Sequence, residues 1–218
     1  MKGQTQAVTA VMITGVVIGA VASAYVWGVP LVEKRQSQSD LQQVESKAVS
    51  LRDSIRSVSQ SGSGSSEEVD LSLGNGRVEV DPRRNYIEFT SFAENAPYPV
   101  GSWRLLRGQS RQGLSFGAGE FGLQGENTPG VVAVQRESDS NSVVTYRIEF
   151  RNLKTTTPSG PILRQVDIQS SGAESASGDV TVQMTNKGTQ TDAGSDRYTI
   201  SNGEDLRRRR SVVEIDLR

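Results

Sequence analysis

Hydrophobic and polar positions divide the chain into three successive patterns. From Gly3 to Val32 there is no charged residue, and apolar side chains cover all sides of a helical projection rather than one face. Inside this stretch Ala7–Val29, AVTAVMITGVVIGAVASAYVWGV, counts 23 residues, which as a helix rising 1.5 Å per residue reaches roughly 35 Å. That length crosses a hydrocarbon layer with some tilt. The hydroxyls of Thr9, Thr14 and Ser23 bond back readily to the preceding helical turn and do not oppose insertion.

Charge returns at Glu33, Lys34 and Arg35, and the pattern becomes one-sided. Leu41, Val44, Ala48, Leu51, Ile55 and Val58 recur at alternating steps of three and four, which is a heptad seam. A single helix is predicted over residues 4–59, greasy all round at first and amphipathic later, with Pro30 as its bending point. Two fates fit the coiled-coil-like second half. It lies on a globular domain of its own chain, or it associates with copies of the same helix. Residues 60–66, QSGSGSS, carry no apolar side chain and read as a flexible linker.

Beyond the linker the period changes to two. Alternation marks strands at Arg77–Val80, Tyr86–Thr90, Val143–Phe150, Val166–Ile168, Val180–Met184 and Val212–Leu217. Shorter candidates are Trp103–Leu105, Val131–Val134, Ile162–Leu163 and Tyr198–Ile200. Asn75-Gly76, Pro158-Ser159-Gly160 and Asn202-Gly203 supply turn chemistry between them. About eight to ten short strands with no helical period left predict that residues 67–218 form an antiparallel all-β, sandwich-like head. The fold class expected is α+β: a long N-terminal hydrophobic helix followed by that head.

Composition removes most chemistry. The 218 residues hold 24 Lys+Arg against 25 Asp+Glu, a net charge of −1, so nothing in the bulk charge points to nucleic acid. Cys and His are both absent, which takes away disulfides, thiolate and imidazole catalysis and nearly all transition-metal ligation. No enzyme activity, cofactor or metal is expected. Glu67-Glu68-Val69-Asp70 is the one acidic cluster with a conceivable calcium role, but it lacks a calcium-loop pattern and reads as solvated. Ser115–Gly119 sits in a glycine-rich stretch without the Lys-Ser/Thr of a phosphate loop. Arg207–Arg210 is the densest positive run, diluted by Glu204 and Asp205. Trp103, Tyr86 and Tyr98 read as core and corner residues.

The first residues carry more specific information. Met1-Lys2-Gly3-Gln4, a basic residue, a glycine and a glutamine directly before a long apolar helix, resembles the short prepilin-type signal of archaeal type IV pilin-like proteins. The order of helix, linker and strand-rich head is similar to that family as well. The resemblance implies a leader at residues 1–3, cut between Gly3 and Gln4 by a prepilin peptidase at the membrane. It also implies an extracellular head and assembly of the helix with copies of itself or other pilin-like subunits into a surface filament, as an adhesive pilus, a minor subunit or a pilin-like anchored protein rather than a motility filament. Bacterial pilins usually have glutamate where Val8 stands, and archaeal relatives commonly lack it, which turns the resemblance toward archaea.

Two other readings of the N-terminus remain open. One is a plain membrane anchor that never polymerises and serves a binding or accessory protein. The other is a secretory signal peptide cut after Ala22-Ser23-Ala24, although the apolar run continues to Val32 beyond that point. Gly15, Gly19 and Ser23 fall four apart, as do Ala20, Ala24 and Gly28. Two strips of small residues would let neighbouring helix backbones approach closely, while glycine is also simply frequent in membrane helices.

Overall fold

The computed structural model describes residues 2–93, 96–106, 122–123, 128–137, 143–191, 198–199 and 205–218. Helix α1 runs over Lys2–Gln60 without interruption, so Pro30 costs one backbone donor and does not stop it. By internal packing the chain forms two units, residues 1–42 and 43–218. The first is helix alone. The second holds residues 43–60 of α1 together with the strands, so the boundary between units falls within the helix and not at the Ser/Gly stretch.

The strands are β1 (Ser66–Asp81), β2 (Tyr86–Phe92), β3 (Arg104–Leu105), β4 (Gly122–Leu123), β5 (Gly130–Arg136), β6 (Val143–Phe150), β7 (Leu153–Thr157), β8 (Gly160–Ser170), β9 (Ser175–Thr191), β10 (Tyr198–Thr199) and β11 (Asp205–Leu217). Their order across the sheet is β3, β5, β6, β2, β1, β9, β11, β8, β7, β4, with β10 paired to β11. The sheet is mixed, which corrects the purely antiparallel head expected from sequence. β11 runs antiparallel to β9 but parallel to β8, and β4 runs parallel to β7. The cause is topological. β8 and β9 follow one another in the chain with opposite directions, and β11 lies between them, so pairing with both obliges it to run parallel to one.

Alternation explains most of the pairing. In β6 the buried apolar positions Val144, Tyr146, Ile148 and Phe150 fall two apart, with Thr145 between them buried as well, which sets one apolar face against the core. β11 departs from this parity. Val212 and Val213 are both fully buried, and at this point the register against β9 shifts, Val212 facing Gly188 and Val213 facing Asn186, so that Lys187 is the extra residue of a bulge in β9. β1 holds another irregularity. The Asn75-Gly76 pair expected to turn the chain is carried inside the strand, where the register to β9 shifts between Ser72 and Arg77 and Gly74 takes a left-handed φ of 56°.

The amphipathic part of α1 completes this core. Val44, Ala48, Leu51, Ile55 and Val58 are buried, and polar bonds run from the same helix to the sheet. Lys47 Nζ donates to the Asp70 carbonyl at 2.9 Å, and Ser54 Oγ donates to Glu67 Oε1 at 2.6 Å. A Cβ at Gly130 in β5 would stand 2.8 Å from Arg52 Cγ and 2.9 Å from Phe150 Cε1, so the missing side chain is what lets β5 approach the helix.

Two buried asparagines close the ends of the assembly. Asn85, in the turn before β2 with a φ of 60°, donates through Nδ2 to the carbonyls of Phe150 at 2.7 Å and Val166 at 2.8 Å. Its Oδ1 accepts from the Ile168 amide at 2.8 Å. One side chain thus ties β6 to β8, which are far apart in strand order, so the sheet curls to bring them together. Asn186 in β9 donates through Nδ2 to the carbonyls of Val58 at 2.9 Å and Ser61 at 2.7 Å. Its backbone bonds Gly64 and Ser65 at 2.7 and 2.9 Å. Residues 61–65, expected to be a flexible linker, are therefore a hydrogen-bonded turn between α1 and β1.

Candidate functional site

Between Val11 and Val29, α1 is long and apolar enough to cross a membrane, and none of that span is buried. From Val11 to Trp27 the exposure of its large apolar side chains runs from 54% at Val17 to 82% at Trp27. A fully exposed Val, Ile or Leu forgoes about 1.5–3 kcal/mol that burial would supply, so a continuous sleeve of them requires lipid or protein around it. A retained single-pass anchor and a signal sequence near the N-terminus both have this length and composition. Thr14 and Ser23 are the polar interruptions within it.

The small-residue strips lie on this bare segment. A Cβ added at Gly15, Gly19 or Gly28 would meet nothing within 4 Å, and Ala20, Ser23 and Ala24 are exposed. Lys2, Gly3 and Gln4 are helical, while their side chains and Met1 fall outside the described residues. The heptad seam is placed differently from the strips. Val44, Ala48, Leu51, Ile55 and Val58 are buried inside the second unit, so its own sheet covers the face that self-association would need. Leu41, in the first unit, is buried as well.

The remaining candidates resolve as structural groups. Glu67 and Asp70 lie in β1, where Glu67 accepts from Ser54 and Asp70 Oδ1 accepts from Thr181 Oγ1 at 2.7 Å. Among the described residues no cluster of acids is arranged to hold a metal ion. Ser115–Gly119 and Asn202-Gly203 lie outside the described residues. The run Arg207–Arg210 lies within β11. Alternation splits it, with Arg207 and Arg209 exposed and Arg208 and Arg210 half-buried. Arg210 Nη1 pairs with Asp167 Oδ2 at 3.3 Å.

The aromatic residues form two small networks. Arg147 stacks over Tyr86 at 4.4 Å and over Trp103 at 4.6 Å from the ring centres, while its Nε donates to Glu88 Oε1 at 2.6 Å. Tyr98 and Tyr146 meet edge to face, with their hydroxyls 3.2 Å apart. Burial raises the pKa of both phenols above the ordinary tyrosine value. The Tyr98 hydroxyl and the Glu45 carboxylate add to the rise at Tyr146. Neither network offers a nucleophile beside a base or an open face for a ring-stacked ligand. Asn85 and Asn186 carry no sequence signal, because an isolated asparagine has no period and reads as loop. Compared with family models, curated proteins and solved structures, the chain matches none.

Proposed function

We propose that the protein is a structural subunit or minor component of a surface filament of the archaeal type IV pilus kind, held by the apolar half of α1 first in the membrane and then in the filament core. The observation that carries this reading is the division of one helix into a bare apolar half and a half whose seam is filled by its own sheet. With the seam occupied, association falls to Val11–Val29 and its two strips of small residues, which suit close backbone packing. Lys2-Gly3-Gln4 supplies the processing site, cut after Gly3 by a membrane peptidase. The strand-rich unit is the extracellular face, and the Asn85 bridge between β6 and β8 supports a sandwich-like closure of its sheet. The mechanism is physical: apolar helices leave lipid and bury one another, and no bond is made or broken after processing.

The intact mass of the native protein is the decisive measurement. Loss of Met1–Gly3, together with recovery of the protein in sedimentable polymers, is the expected result, and Gly3→Leu should abolish both. A full-length mass with detergent-soluble monomers would leave a static anchor for an accessory protein, and loss of residues 1–24 would make the chain secreted.

A further inference from the structure

A cleft of about 600 Å³ opens in the second unit where the end of α1 meets β8, β9 and β11. Arg56 from the helix, Arg164 from β8 and Arg209 from β11 line it, and no Asp or Glu occurs among its described lining residues. All three arginines are exposed, and none of them makes an ion pair or side-chain hydrogen bond among the described residues. Arg164 and Arg209 stand directly opposite one another in the parallel register of β8 and β11, an arrangement that repulsion between like charges makes unfavourable. Nor does Arg56 serve to cap its helix. The last carbonyls are already occupied: Arg56 O by Ser59 Oγ, Ser57 O by Ser61, and Val58 O by Ser61 N and Asn186 Nδ2.

The rim continues the same chemistry. Ser59, Ser61, Thr189 and Ser211 line the cleft, with the Ser59 and Ser61 hydroxyls donating to the helix's own carbonyls. Behind Thr128, Arg151 donates Nε to its carbonyl at 3.0 Å and leaves Nη2 buried without a hydrogen-bond partner among the described residues. Positive charge therefore comes from three elements around one cleft, and an anion entering it would offset their mutual repulsion. Arginine forks bind oxyanions through paired, charge-assisted hydrogen bonds, and the volume suits a ligand of small-molecule size.

We propose that this cleft binds a ligand carrying two or more oxyanion groups, phosphate, sulfate or carboxylate, on a polar frame, with Arg56, Arg164 and Arg209 as its charge-bearing contacts. Such groups come from free small anions or from acidic sugars of a surface glycan, and the probes separate the two. Full-length protein in a nonionic detergent is titrated with pyrophosphate, a sulfated disaccharide and its unsulfated counterpart.

The expected result is binding of the charged probes and not of the neutral sugar, weakening as salt rises. The double variant Arg164→Gln/Arg209→Gln should lose affinity by about tenfold or more, and Arg56→Gln less, in line with the strength of charge-assisted bonds. Arg83→Gln, at an exposed arginine outside the cleft, should bind as the parent does. Tighter binding of the sulfated disaccharide than of pyrophosphate points to a glycan, and the reverse to a small free anion. Without ligand, the melting temperature of the double variant should hold or rise, because repulsion is relieved. The proposal is overturned if neither charged probe binds, if the double variant and Arg56→Gln both bind as tightly as the parent, if Arg83→Gln loses as much, or if the double variant melts lower without ligand.

Discussion

Single side chains decide how the second unit responds to its conditions, and the paired phenols show this most directly. Tyr146 is fully buried and Tyr98 nearly so, and burial holds both protonated beyond the pH at which an exposed tyrosine ionises. The unfolded chain ionises near the ordinary value of about 10, so these groups stabilise the fold fully below that pH. The contribution is lost as pH rises from there toward the folded pKa values. Denaturant unfolding at pH 8, 9.5 and 11 should show stability falling above pH 10 by about 1.4 kcal/mol per pH unit for each suppressed tyrosine. Tyr146→Phe should lose about 1 kcal/mol at neutral pH for the missing hydroxyl contact and show a shallower alkaline slope. An unchanged slope would mean that the phenol is not withheld from ionisation. Tyr98 was legible in the sequence as a core residue. Its contact with Tyr146 was not, because Tyr98 sits in the connection between β2 and β3 and meets a β6 residue far along the chain.

At the scale of elements, legibility follows local periodicity. β6 matches its sequence expectation at both ends, Val143–Phe150, because its alternation is uninterrupted. β1 was half missed. Val69, Leu71 and Leu73 alternate with Glu68, Asp70 and Ser72, but they adjoin the Ser/Gly run and precede Asn75-Gly76, two signals that normally mark the ends of elements. Pairing with β9 on one side carries the strand through both, since tertiary context overrides turn propensity. The parallel place of β11 left no trace, because alternation does not encode which neighbour a strand chooses. The turn at 61–65 gains its order from Asn186, a residue more than a hundred positions away. Asn186→Ala removes both bonds to the helix end and the acceptor for the Gly188 amide, and should cost about 2–3 kcal/mol. Amide exchange at Gly64 should quicken by more than the global loss of stability explains, as expected if the turn opens locally. Equal acceleration throughout the second unit would show that Asn186 acts on the core and not on the turn.

For the molecule as a whole, the consequential fact is that one helix has two sequence textures with separate physical tasks. The seam residues from Val44 to Val58 are spent on the core of the second unit, while Val11–Val29 remains unburied. Changing the bare segment should therefore alter where the protein resides without altering how the strand-rich unit folds. Val17→Glu/Val21→Glu places two carboxylates on exposed positions near the middle of the apolar span. Each charged residue there opposes insertion by about 2.5–3.5 kcal/mol, so partition into vesicles should fall by a few orders of magnitude, and any polymer should fail to form. The melting transition of the second unit should stay within a degree or so, since surface substitutions away from packed features change stability by less than about 0.5 kcal/mol. A Leu51→Ala control should behave in the opposite sense. Membrane binding is retained while the unit loses about 2–5 kcal/mol, because a fully buried side chain in the helix seam leaves a cavity. If the glutamates lowered the melting transition as much as the alanine does, the two halves of α1 would not be independent, and the case for the apolar half as a dedicated membrane and assembly element would fail.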